Sequence, residues 1–153
     1  MSAHAAGFAD QEAVLNDGTV TETEYLNSTI AARQCAAAAG TDVRSITRRV
    51  DGTLNYSFSV HEGLDEAAVV AAADRCDEEH SKFVELGFRR STPGPSDLEI
   101  IRACVAEHAE ESGVSAEEVT PVLIGQSLTS KDPKFEQLQA CVAVANASTV
   151  VVE

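Results

Sequence analysis

Asp51-Gly52-Thr53-Leu54-Asn55-Tyr56-Ser57-Phe58-Ser59-Val60 is the stretch on which the fold turns. Leu54, Tyr56, Phe58 and Val60 alternate with Asn55, Ser57 and Ser59, the period of two that marks a strand with one buried face. Asp51-Gly52 ahead of it is a favoured hairpin turn, and residues 43–50 supply the partner strand. A two-stranded hairpin is marginal alone in water, so its apolar face must rest on helices. The expected fold is therefore helix-rich α+β: about five helices plus one antiparallel β-hairpin.

Upstream, residues 1–9 are small, featureless and expected to be mobile; a short helix is expected from Asp10 to about Leu15. Asn16-Asp17-Gly18 makes a turn, and Thr21 and Thr23 are both placed to cap a helix that reaches Ala39 before Gly40. That helix has a wide apolar arc through Tyr25, Leu26, Ile30, Ala32, Ala36 and Ala37, as expected of a helix buried on more than one side. Residues 16–24 also carry the second half of a calcium-loop pattern ending in Glu24. Its first two ligand positions fall on Ala13 and Leu15, whose side chains cannot coordinate. A turn leading into a capped helix is the preferred reading.

Downstream, one long helix is expected over residues 65–86, with Val69, Ala73, Cys76, His80 and Phe83 on one face and Gly87 as its stop. Ser91-Thr-Pro-Gly-Pro95 places three helix breakers in five residues, and the lobe boundary is set there. The expected lobes are 1–90, helix-hairpin-helix with Cys35 and Cys76, and 96–153, helical with Cys104 and Cys141, together one compact unit. In the second lobe Ser96 or Asp97 caps a helix with Leu98, Ile101, Val105 and Ala109 inward, ending before Gly113. Ser115 with Glu118 opens a short helix in capping-box style. Asp132-Pro133 starts the last one, with Phe135, Leu138, Val142 and Ala145 on one face. Residues 148–152 are β-branched and fit an edge strand added to the hairpin.

The chain has 153 residues, 25 acidic and 11 basic, for a formal net charge of -14. Such a surface repels phosphates, so no nucleic-acid partner is expected. No run approaches the roughly 20 apolar residues of a membrane span. Residues 1–8 lack the basic and apolar regions of a signal peptide. The chain is then either cytoplasmic or a mature segment, and the cysteines must decide. Aromatic residues are only 5% and Trp is absent, so the core is built from small aliphatic side chains and gains from covalent links.

The four cysteines fall one on each main helix, two per half, at similar spacing. That suggests a weak pseudo-repeat with disulfides Cys35–Cys76 and Cys104–Cys141, though four cysteines allow three pairings and the sequence leaves the others open. Closing a loop of about 40 residues is worth on the order of 4 kcal/mol in the chain-entropy model. Disulfides place the chain outside the cytoplasm. Two rival readings use the same residues. Cys76 with His80 and Cys104 with His108 sit at i,i+4 on single helix faces. Two such helices would offer a zinc-type donor set, or a Cys–His pair for nucleophilic catalysis. The metal set would leave Cys35 and Cys141 unexplained, and neither pair lies in a recognised nucleophile motif. No catalytic, cofactor-binding or metal-binding residue is therefore assigned.

The remaining signals are weaker. Asp77-Glu78-Glu79 and Glu107, Glu110, Glu111 read as solvated helix faces. Arg48-Arg49 and Arg89-Arg90 are the basic doublets, able to grip a carboxylate or phosphate but expected to balance acidic helices. Asn27, Asn55 and Asn146 open short glycosylation-type tripeptides that matter only in a eukaryotic secretory cell.

Leu15-Asn-Asp-Gly-Thr-Val-Thr-Glu-Thr-Glu-Tyr25, followed by Cys35 and Gly40, resembles the opening of uncharacterised secreted proteins and lipoproteins of actinobacteria. Cys76 matches the second cysteine-bearing helix of that pattern. Cys104 with Gly113-Val114, and Asp132-Pro-Lys-Phe135 leading to Cys141, are similar to its later motifs. The resemblance spans residues 12–145. It implies an envelope location and paired cysteines, and carries over no catalytic residue. The expected function is a non-enzymatic secreted or cell-envelope domain binding a protein, glycan or small ligand. The alternatives are a metal-binding or Cys/His-dependent enzyme using Cys76/His80 and Cys104/His108, and a structural or assembly protein.

Overall fold

The structure, a computed structural model, describes residues 8–152; the featureless start expected at 1–9 lies almost wholly outside the described residues. The chain divides into two units at the Pro93-Gly94 step. One takes in the chain to Arg48, Thr53–Pro93 and the end of the chain from Val150. The other takes in Arg49–Gly52 and Gly94–Thr149.

The first unit opens with α1 (Ala9–Leu15) and α2 (Glu22–Ala38). Thr21, not Thr23, caps α2, and the cap is reciprocal: Thr21 Oγ1 accepts the Glu24 N–H while the Glu24 carboxylate accepts the Thr21 N–H at 2.8 Å. Glu24 is thereby engaged as a cap, in keeping with the turn-and-helix reading of residues 16–24. Gly40, at φ +104°, ends the helix; that left-handed geometry suits glycine.

The hairpin follows, but as two short ladders. Strand β1 (Thr41–Val43) pairs antiparallel with β4 (Phe58–Val60), and β2 (Ile46–Arg49) pairs with β3 (Leu54–Asn55). The registers differ by one residue. Val43 faces Phe58 and Thr47 faces Asn55, so Arg44, Ser45 and Ile46 stand opposite Tyr56 and Ser57 alone. This is a β-bulge, the insertion of one extra residue that bends a ribbon, and it corrects the single continuous hairpin expected from the alternation. The turn keeps its expected glycine, Gly52 at φ +85°. Strand β5 (Ser148–Val152) adds to the edge, giving the order β3-β2-β5.

The expected long helix is two: α3 (Glu66–His80) and α4 (Lys82–Ser91). The chain breaks at Ser81 because a buried side chain enters the helical ladder there, a recognised cause of kinks. Gln11 Nε2 donates to the carbonyls of Glu78 at 2.8 Å and Glu79 at 2.6 Å. Its Oε1 accepts the N–H of Phe83 at 2.8 Å and of Val84 at 3.3 Å. One amide thus serves the end of α3 and the start of α4. Gly87 lies inside α4 and does not stop it; a Cβ there would come within 2.6 Å of Leu15 and 2.7 Å of Val20, so the glycine permits close packing. The core of this unit joins Val20, Tyr25, Ile46, Leu54, Val84 and Phe88. Tyr25 and Phe88 stack with centroids 4.8 Å apart, and the Tyr25 hydroxyl accepts the Leu54 N–H at 3.0 Å.

The second unit holds α5 (Asp97–Glu107), α6 (Pro121–Thr129), a 3-10 turn (Pro133–Phe135) and α7 (Glu136–Ala145). Ser96 caps α5 in a reciprocal box with Glu99. Ala109 falls beyond the end of α5 and is exposed, contrary to its expected inward place. Ser115 and Glu118 form their hydrogen bonds, with the Ser115 N–H reaching the Glu118 carboxylate at 2.8 Å, but around a turn rather than a helix. The helix starts later, where Thr120 caps and Pro121 takes the first position. Its core joins Ile101, Val105, Val119, Phe135, Leu138 and Val142, including the expected face of α7. Among the described residues there are seven α-helices against about five expected, mainly because the long helix divides and α6 was not foreseen.

Candidate functional site

Cys35 on α2 is bonded to Cys76 on α3, and Cys104 on α5 to Cys141 on α7, each with Cα atoms 5.6 Å apart. Each bridge therefore ties two helices within one unit. All four sulfurs are committed and none is a free thiol. A disulfide sulfur is neither a thiolate ligand nor a nucleophile. The two Cys–His pairs fall in different units. His80 is half-buried beside a cavity of about 170 Å³ that also touches Gln11 and Val84. His108 is exposed at the end of α5, with Nδ1 3.7 Å from Glu111. Among the described residues no group of three or more His, Cys, Asp or Glu is arranged to hold a metal ion.

The basic doublets are divided as well. Arg48 pairs with Glu22 and Arg89 with Glu85. Arg49 Nη2 reaches both carboxylate oxygens of Asp97, at 3.1 and 3.0 Å. Arg48, Arg49 and Arg89 thus balance acidic side chains as expected, whereas Arg90 forms no ion pair among the described residues.

A larger feature lies at the bulge. A cavity of about 610 Å³ opens there, within the range of small-molecule sites. Val43, Arg44, Ser45 and Thr47 form one wall from the bulged strand; Asn55, Tyr56 and Ser57 form the other from its partner. The walls are held together by the Arg44 N–H to the Ser57 carbonyl at 2.8 Å and by Thr47 Oγ1 to the Asn55 carbonyl at 3.3 Å. Arg33 closes the cavity from α2 and Val150 from β5. Arg33 Nε donates to the Arg44 carbonyl at 2.8 Å, so the guanidinium is anchored by one donor and keeps its terminal nitrogens. The lining holds two arginines, three aliphatic hydroxyls, the Tyr56 phenol, one amide and no carboxylate.

A second cavity of about 250 Å³ shares Asn55 and Tyr56 but has the opposite sign. Asp74, Asp77 and Glu85 line it together with the buried Thr29 and Ser81. Asp77 stays exposed as a residue, yet its carboxyl is crowded by the cavity walls. Burial, then the Glu85 charge, push its pKa up, against a hydrogen bond from Ser81 and the Lys82 charge. The Tyr56 phenol is pushed up to about 12, first by burial and then by Asp77 and Asp74. Tyr56 is therefore neutral at any physiological pH. It stands between an arginine-lined space and a carboxylate-lined one.

The sequence missed this site because no motif marks it. One signal was present: the inward residues Val43 and Ile46 are three apart rather than two, a break in strand alternation at the position of the bulge. Comparison with protein-family models, curated proteins and solved structures finds no match to this chain.

Proposed function

We propose that this chain is a non-enzymatic, extracytoplasmic domain of the secreted or cell-envelope kind, which binds a small ligand in the cavity over the hairpin bulge. The observation that carries binding is the cavity itself, about 610 Å³ with arginine, hydroxyl, amide and apolar groups converging on it. The location is supported by the two disulfides, which persist in oxidising compartments and are rare in reducing ones. No helix among the described residues is long and apolar enough to cross a membrane. The likeness to actinobacterial secreted proteins and lipoproteins in residues 12–145 agrees with that location and remains part of the proposal.

Two measurements test this. Alkylation of natively produced protein before and after reduction, read by intact mass, is expected to label no cysteine before and all four after. Four free thiols before reduction would overturn the location. A backbone amide NMR screen against neutral and charged sugars and small carboxylates is expected to shift residues 43–47 and 55–57. No shift there from any compound at millimolar concentration would overturn the binding role.

An assembly role is the second reading, favoured by α6. Its nine residues carry no charge, and Val122 and Leu128 are 70% and 58% exposed. Sedimentation showing a monomer at high protein concentration would remove it.

A further inference from the structure

We propose that the cavity over the bulge is an anion site: it takes a small ligand bearing a carboxylate or phosphate together with hydroxyl groups, of the acidic-sugar class, gripped by Arg33 and Arg44. This rests on the binding role proposed above and names the chemistry of its ligand.

In a chain with 25 acidic and 11 basic residues, carboxylates outnumber the cations that could pair with them. Arg48, Arg49, Arg89, Lys82 and Lys134 each pair with a carboxylate. Among the described residues, Arg33, Arg44, Arg75, Arg90, Arg102 and Lys131 form no ion pair, and of these six Arg33 and Arg44 line one cavity together. Arg33 is half-buried. Its one hydrogen bond, from Nε to the Arg44 carbonyl, fixes the side chain without neutralising it. A guanidinium has five N–H donors in a planar fork that matches a carboxylate or phosphate edge. With Nε committed, the two terminal nitrogens keep their four donors. Less ordering entropy is then lost when a ligand arrives.

The bulge accounts for the second arginine. In a regular antiparallel pair the side chains of Arg44 and Ser45 would point to opposite faces. With three residues against two, local pairing is broken and the side chains are re-aimed, a common use of bulges beside binding sites. Arg44, Ser45 and Thr47 all reach the one cavity as a result. The hydroxyls of Ser45, Thr47 and Ser57 and the Asn55 amide suit a polyhydroxylated ligand, while Val43, Val150 and the Tyr56 ring suit its apolar face. The carboxylates of Asp74, Asp77 and Glu85 line a separate cavity on the Tyr56 and Asn55 boundary. They oppose an anion at longer range, which selects a small monovalent or divalent ligand over a polyanion.

The test uses the intact disulfide-bonded protein, titrated at low salt with glucuronate, glucose 6-phosphate, inorganic phosphate and neutral glucose, and followed by backbone amide NMR. Glucuronate or glucose 6-phosphate is expected to shift residues 43–47 and 55–57 at concentrations at least roughly tenfold below glucose, since hydrogen bonds to charged groups are the stronger ones. Inorganic phosphate alone saturating the same shifts identifies the phosphate source. Arg33→Gln and Arg44→Gln are each expected to weaken the anion roughly tenfold or more, and Arg33→Lys to recover part of the loss. Arg90→Gln, an exposed arginine outside the cavity, is expected to change nothing. Thermal unfolding confirms that each variant is folded, and the exposed Arg44 keeps the test alive should Arg33→Gln unfold. Equal binding of glucose and glucuronate would overturn the anion assignment and leave the binding role standing. Loss of binding in Arg90→Gln equal to that in Arg33→Gln would also overturn it. No shift with any of the four probes would overturn the anion assignment, while shifts there from other compounds in the broader screen would preserve the binding role.

Discussion

The side-chain oxygen of Gln11 accepts the backbone N–H of Phe83 at 2.8 Å, across 72 positions of sequence. With its three companion bonds to Val84, Glu78 and Glu79, this 1% exposed amide closes the gap between α3 and α4. Gln11→Ala would strand two buried donors and two acceptors. At about 1–3 kcal/mol for each group left unsatisfied, with water recovering part, a loss of about 3 kcal/mol or more is expected. Gln11→Glu would fare no better, because a carboxylate cannot donate to the two carbonyls. Urea denaturation is the measurement, with the exposed Gln34→Ala as control at within about 0.5 kcal/mol. A Gln11→Ala loss no larger than the control would refute the capping role.

The two disulfides are expected to differ in consequence. Their sequence separations are 41 and 37, so the chain-entropy model gives each about 4 kcal/mol. The units differ in what else holds them. The first has Tyr25, Phe83 and Phe88 in its interior, whereas Phe135 is the one aromatic residue of the second. Cys104→Ala/Cys141→Ala is therefore expected to unfold the second unit at 37 °C, while Cys35→Ala/Cys76→Ala leaves the first unit folded with lowered stability. Amide hydrogen exchange resolves the units separately, and equal protection loss in both variants would contradict this ordering.

Asp77 gives a pH dependence of defined sign. Its pKa is raised in the folded state, chiefly by burial and the Glu85 charge. Between the ordinary carboxylate value of about 3.9 and the raised one, the folded state holds more protons than the unfolded state. Stability from this group is then full at low pH and falls as pH rises through that window. Asp77→Asn is expected to raise the unfolding midpoint at pH 7, and the gain should shrink toward pH 4. A variant less stable than the parent at pH 7 would reverse the assignment. Tyr56 acts in the same sense at high pH: stability is lost from about 10 upward, where the unfolded phenol ionises and the folded one holds its proton up to about 12. Absorbance of the phenolate across an alkaline titration, compared with Tyr56→Phe, reports it.

Gly113 is a packing position. A Cβ there would lie 2.6 Å from the Lys134 carbonyl oxygen and 2.7 Å from its Cα, and backbone cannot yield as a side-chain tip does. Gly113→Ala is expected to cost about 1–3 kcal/mol by overpacking. Gly125→Ala, with nothing within 4 Å of the added carbon, is expected to stabilise α6 by up to about 1 kcal/mol. Thermal unfolding of the two variants should move in opposite directions.

Local chemistry was legible in advance wherever neighbours in sequence are also neighbours in space. Thr21 with Glu24, Ser96 with Glu99, the Asp51-Gly52 turn and the inward face of Phe135, Leu138, Val142 and Ala145 are all of this kind, because helix and turn geometry bring residues three or four apart together. The same reasoning reached too far at Ser115 and Glu118, whose hydrogen bonds form around a turn. It stopped short at Thr120-Pro121, a cap and first-turn proline that begin α6.

The sequence by itself determined a helix-rich α+β chain, its acidic charge, its capped helix starts and the even placing of its cysteines, since all of these depend on composition and short-range period. Tertiary structure alone decided that residues 66–91 are two helices, because the amide that parts them comes from Gln11. It alone decided which sulfurs meet, and that an extra residue at Arg44–Ile46 breaks the ribbon's register where the Arg44 carbonyl accepts a hydrogen bond from Arg33 Nε. These are contacts between residues distant along the chain, or a register between two strands, and no local period encodes them.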